Sequence, residues 1–137
     1  MKQHILKSIL ILLVGVLLFS TCDQPTEPDT TPPTPVELYP VTYQDGSFNI
    51  SWSQNNDDDF SSYTLYESTS EDMSGETLIY ETDVRTDTIY VVTGISGDET
   101  RYYRVISKDI YGLQSVSNIE YGLGSYNKFV KTFGGSE

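Results

Sequence analysis

Histidine and cysteine are almost missing from this chain of 137 residues, which has one of each, His4 and Cys22. Everything beyond Cys22 therefore lacks the imidazole or thiol that a Ser-His-Asp or Cys-His nucleophilic site requires. It also lacks the nitrogen and sulfur ligands of a zinc site. A single cysteine cannot supply an intramolecular disulfide. Basic residues are scarce too, with eight Lys or Arg against twenty Asp or Glu and a formal net charge of −12. Between Val36 and Gly122 stand sixteen of the acids and four of the bases, so this stretch carries the entire net charge. That sign argues against nucleic acid as a partner, because such surfaces are basic. It also argues against adsorption of this stretch to anionic lipid, and it is read first as a source of solubility. No segment after Cys22 sustains a helical apolar period, and no glycine-rich phosphate loop leads into a helix. Carboxylate-pair catalysis needs a cleft that a domain of about 87 residues rarely builds. The expectation is no enzyme, no cofactor and no metal.

What is present begins with an address. Residues 1–7 carry Lys2 and Lys7 and no acid, and Ile9 to Phe19 form an apolar run of eleven residues. A basic start, a short apolar core and small residues after it make the secretory signal pattern. Spanning a bilayer as a helix takes about 20 apolar residues, and Lys7 stops the run from extending upstream. Cys22 follows at once, and its position resembles the lipidation site of a bacterial lipoprotein. Phe19 and Thr21 stand where that family usually has Leu and a Gly, Ala or Ser. The resemblance implies cleavage of residues 1–21, acylation of Cys22 with chains such as palmitate, and a membrane-anchored protein of the cell envelope; plain secretion is the alternative. Asp23 to Pro35 then reads DQPTEPDTTPPTP, five prolines in thirteen residues. With φ locked and donors missing, this linker is expected to be extended, about 3.1 Å per residue and roughly 40 Å in all.

From Val36 onward the pattern is period-two alternation punctuated by turns. Seven short strands are predicted: around Glu37 to Tyr43, Phe48 to Trp52, Tyr63 to Glu67, Thr77 to Thr82, Thr88 to Thr93, Arg101 to Lys108 and Leu113 to Tyr121. Asp45-Gly46, Gly97-Asp98 and Tyr111-Gly112 supply turn signals. The fold class expected is all-β, a seven-stranded antiparallel immunoglobulin-like sandwich over residues 36–122, followed by a tail at 123–137. Phe48, Ile50, Trp52, Tyr63, Leu65, Tyr103 and Val105 are the expected core.

Several local patterns, in order, resemble the fibronectin type III domain over residues 30–122. They are the lead-in Asp29-Thr30-Thr31-Pro32-Pro33-Thr34-Pro35, Ile50-Ser51-Trp52, Asp59 to Tyr66, the corner Gly94 to Thr100, and Tyr102-Tyr103-Arg104-Val105 with Asp109, Gly112 and Ser115 beyond. The family places a tyrosine six residues after the corner's apolar residue, with its hydroxyl bonded back to the backbone. Counting from Ile95 that position holds Arg101, so either Tyr102 takes over by a one-residue shift or the corner is built differently. Phe129 to Glu137 bears a weaker resemblance to the opening of a repeat in bacterial propeller-like extracellular proteins.

Two groups of residues are candidates for function. Asn55-Asn56-Asp57-Asp58-Asp59 offers hard oxygen ligands, but its spacing does not fit the calcium loop with glycine at the sixth position. It is read instead as a solvated loop whose side chains cap backbone amides. In the fibronectin arrangement the third and sixth strands are neighbours, which implies that Tyr66, Tyr102, Arg104 and Ile106 share an outward face. Such a face suits contact with an envelope protein or stacking on a glycan. The functional expectation is a non-catalytic envelope lipoprotein whose domain serves as a spacer or protein-interaction module. The alternatives are a carbohydrate-binding module, or the linker domain of a truncated larger repeat protein.

Overall fold

The computed structural model describes residues 29–124. The signal-like run, Cys22 and the segment from Phe129 to Glu137 lie outside the described residues. Among the described residues no helix is long and apolar enough to cross a membrane.

Alternating side chains produce strands here because each apolar set finds a partner sheet to close against. The strands are β1 (Thr42–Gln44), β2 (Ser47–Ser51), β3 (Phe60–Ser68), β4 (Thr77–Thr82), β5 (Ile89–Thr93), β6 (Thr100–Asp109), β7 (Gln114–Val116) and β8 (Glu120–Leu123). They form two antiparallel sheets, one ordered β1-β2-β5 and the other β4-β3-β6, with β7 and β8 both paired to the free edge of β6. The hairpin β1-β2 turns on Asp45 and Gly46, whose φ values of 50° and 77° suit a two-residue turn.

All seven expected core residues are buried between the sheets, each at most 2 % exposed. Val36, Leu38 and Ile95 complete the cluster. Its aromatic rings meet edge to face, Phe48 with Tyr103 at 6.2 Å and Trp52 with Tyr63 at 5.8 Å between centroids. Each large apolar side chain so buried contributes roughly 1.5–3 kcal/mol before ordering entropy is set against it.

The predicted strands recur with two differences at the chain ends. The first is interrupted: Leu38 makes only an isolated bridge to Trp52, and regular pairing starts at Thr42. Pro40, which has no N–H to donate, lies between them. The last is split into β7 and β8. At the break the Val105 N–H donates to the Ser117 hydroxyl at 2.9 Å, so a side chain takes the place of a ladder acceptor. The next residue, Asn118, turns away to both backbone groups of Leu38, accepting from its N–H at 2.8 Å and donating to its carbonyl at 2.9 Å.

The contacts that tie the chain to the sandwich begin upstream of Val36. Thr34 donates through its N–H and its hydroxyl to Asp57, at 2.6 and 3.0 Å, and its carbonyl accepts from Asn55 at 2.9 Å. The Ser115 hydroxyl donates to the carbonyl of buried Pro33. The proline-rich linker is thus docked on the domain at its last residues.

Candidate functional site

β3 and β6 form the longest pairing among the described strands, and their register decides which side chains share a face. Tyr66 lies opposite Arg104, Thr64 opposite Ile106 and Ser68 opposite Tyr102. Tyr63, Leu65, Tyr103 and Val105 fill the inner positions, so Tyr66, Tyr102, Arg104 and Ile106 all point outward, as expected from the alternation. β4 adds Leu78 beside Tyr66, and β8 adds Tyr121 beside Tyr102. The rings of Tyr102 and Tyr121 lie 6.1 Å apart, and Tyr121 is 58 % exposed. The face is therefore an aromatic and aliphatic strip around one arginine.

That arginine is not free. Its guanidinium lies 6.0 Å from the Tyr66 ring centroid and is ion-paired with Glu76. A cation over the ring holds Tyr66 in place and covers one of its faces.

The corner before β6 takes the second of the two forms weighed in the sequence, a different construction. Tyr102 does not take over the bonded tyrosine position, because it faces outward with Arg104. Arg101 stands on the inner side. Its guanidinium donates to Glu99 and, at 2.7 Å, to Glu67, and the Tyr103 hydroxyl donates to the other oxygen of Glu67 at 2.9 Å. Burial and the neighbouring Glu67 push the Tyr103 phenol well above its ordinary range. The Glu99 carboxyl is held below the usual carboxylate range by Arg101 and then by the Ser96 N–H. An ionic network replaces a tyrosine hydroxyl.

The acidic loop divides into two roles. Asn55 is buried; its side-chain oxygen accepts from the Asp57 N–H at 2.8 Å, and its amide bonds to Thr34 and Asp57. The Thr34 N–H chiefly holds the Asp57 carboxyl below its ordinary value. This is the capping loop that the composition suggests, and it clasps the linker. Asp59 does something else. One of its carboxylate oxygens lies with one each from Asp29 and Asp109, all within 4.8 Å of one another. Partial burial, then Asp29 and Asp109, raise the Asp59 carboxyl above the usual range. A groove of about 420 Å³ runs beside it, between Thr31–Thr34 and Asn56–Asp59. The sequence gives no sign of this cluster, because its members come from three separate segments. Only the β3-β6 register and the docked linker bring them together.

No protein-family model matches the chain, and no curated protein matches it. Solved structures do. The sixth fibronectin type III domain of human fibronectin type III domain containing protein 3 is 19 % identical, with a TM-score of 0.59 over 71 % of this chain and 90 % of that one. Pectate lyase Pel3 from Pectobacterium carotovorum is 18 % identical, with a TM-score of 0.58 over 70 % of this chain. A beta-1,2-glucanase from Parabacteroides distasonis is 15 % identical, with a TM-score of 0.56 over 74 % of this chain. The chain spans only 28 % and 14 % of those two enzymes. The sandwich is a fibronectin type III fold, the immunoglobulin-like architecture expected from the strand pattern.

Proposed function

We propose that this protein is a non-catalytic module of the cell envelope, anchored through lipidated Cys22, whose sandwich acts as a spacer and protein-contact domain. One observation carries the contact role. The outer face of the larger sheet carries a strip of half-buried Tyr66, Tyr102 and Arg104 that ends on exposed Tyr121. Tyrosine and arginine are the residues most enriched where binding energy concentrates in protein interfaces. The anchor is supported by the apolar run of Ile9 to Phe19 directly upstream of the only cysteine. The absence of any histidine or second cysteine after residue 22 supports the lack of catalysis.

The carbohydrate reading has one argument in its favour, that such a sandwich occurs in a pectate lyase and a glucanase. Sugar stacking needs an open ring face, however, and Arg104 covers one face of Tyr66. Protein contact fits this strip better. Two measurements test the proposal in cells. A palmitate analogue should label the full chain, and Cys22→Ser should abolish that label. A photoreactive residue at Tyr102 should give a discrete protein adduct in the envelope, whereas the same residue at Thr42, on the opposite sheet, should not. Labelling that survives Cys22→Ser overturns the anchor. Retention on polysaccharide that is lost in Tyr102→Ala, without a protein adduct, replaces the contact role with sugar binding.

A further inference from the structure

Asp109 is the most deeply buried acid of the sandwich, 1 % exposed. It ends β6, and its Oδ1 accepts from the N–H groups of Tyr111 and Leu113, both at 2.8 Å, which fixes the turn. Its Oδ2 is also buried and has no hydrogen-bond partner. A buried carboxylate oxygen without a donor is costly, and two further carboxylates stand beside this one. Asp59 sits in the turn just before β3, where its carbonyl accepts from the Ile110 N–H at 2.9 Å. Asp29 arrives from the linker, braced by the Thr31 N–H on its Oδ1 at 2.9 Å. Among the described residues none of the three is ion-paired. Three carboxylates therefore converge without a basic side chain among the described residues to balance them.

We propose that Asp29, Asp59 and Asp109 form a calcium site that locks the end of the linker to the sandwich. The ligand set is all oxygen and carries up to three negative charges, which selects a hard divalent cation. Calcium–oxygen distances of 2.3–2.6 Å place ligands on opposite sides of the ion about 4.8 Å apart, and the three oxygens lie within 4.8 Å of one another. Magnesium requires a tighter, near-ideal octahedron and gives up its waters reluctantly, which suits a site made from three independent segments poorly. Oδ2 of Asp109 is the inner ligand. Asp29 and Asp59, both half-buried, close the site from the surface and leave room for water ligands. Binding would convert the hydrogen-bonded clasp at Thr34 into a rigid junction five residues further out, at residue 29. The site stands whether or not Cys22 is acylated.

The test uses the full chain, stripped with a chelator and then titrated with calcium chloride. Calorimetry should give a Kd of roughly 10⁻⁴–10⁻³ M, the range of extracellular calcium modules. Calcium at 10 mM should raise the melting temperature by about 5–15 °C. Equal magnesium should move it far less. Asp109→Asn keeps the oxygen that Tyr111 and Leu113 need, so it should fold, and it should weaken calcium binding at least tenfold. Asp29→Asn should do the same from the surface side. In chelator the order reverses: both variants should melt at or above the wild type, because each removes one of three crowded charges. Asp83→Asn, an exposed acid on the β4–β5 connection, should respond to calcium like the wild type. No melting shift in calcium, or a shift that Asp109→Asn and Asp29→Asn retain, overturns the proposal. An equal shift in magnesium overturns the choice of ion.

Discussion

Asp57 and Asp59 stand two positions apart in one acidic run, and their surroundings give them opposite properties. Asp57 accepts two bonds from Thr34 and one from Asn55, and its carboxyl is lowered from the ordinary 3.8. A carboxyl lowered in the folded state adds stability that is complete above the unfolded value and disappears as pH falls through the folded one. The melting difference between wild type and Asp57→Ala, measured in chelator, should therefore be constant above about pH 5. It should shrink toward zero below 3.8. A difference that stays unchanged on acidification would mean that the Thr34 contact does not depend on the charge. Tyr103 offers a second case. Its hydroxyl donates to Glu67 from a fully buried ring. Tyr103→Phe keeps the packing and removes one bond to a charged acceptor, so it should cost about 1–2 kcal/mol in denaturant unfolding. Both inner and outer tyrosines were legible from alternation alone, since Tyr102 and Tyr103 have to face opposite ways in a strand. The capping role of Asp57 was legible in the loop's composition, but its partner Thr34 and the role of Asp59 were not, because they depend on which distant segment docks beside each.

At the level of strands, local pattern sufficed wherever the ladder itself sets the boundary. β4 runs from Thr77 to Thr82, as its β-branched and apolar residues between polar turns suggest. The final strand was not legible, because its interruption is caused by side chains competing for backbone groups. Ser117 captures the N–H of Val105, and Asn118 reaches Leu38, eighty positions away in sequence. Leu38 is 1 % exposed, and the bonds flanking its bridge run from Tyr39 to Ser51 and from Ser53 to Glu37, so its own N–H and carbonyl face away from β2. Asn118 is what satisfies them, acting as a piece of strand supplied by a side chain. Asn118→Ala would leave both groups short of a partner and should cost about 2 kcal/mol. Asn118→Asp keeps the acceptor but sets a carboxylate against the Leu38 carbonyl and Glu120, so it should be no more stable than alanine at neutral pH. Equal stability of all three would show that water replaces the amide without loss.

For the molecule as a whole, charge is the property that composition fixed and packing did not change. The stretch from Val36 to Gly122 has a net charge of −12, and its described ion pairs engage only Arg101 and Arg104. Exposed or half-exposed pairs contribute about 0–1 kcal/mol each. The unbalanced acids act over longer distances and all in one direction, since self-repulsion destabilises the compact state. Salt weakens both effects, and the excess of sixteen acids over four bases decides which loss is felt more. Raising sodium chloride from 0.05 to 0.5 M shortens the screening length from about 14 Å to about 4 Å. In chelator the melting temperature should therefore rise with salt, by roughly 2–5 °C, gradually and without saturation. Calcium at the Asp29, Asp59 and Asp109 cluster would differ in kind, saturating at millimolar concentration. The two responses should add in the wild type, whereas Asp109→Asn should retain only the sodium chloride response. A melting temperature that falls with sodium chloride would show that the network of Arg101 with Glu67 and Glu99 outweighs the repulsion.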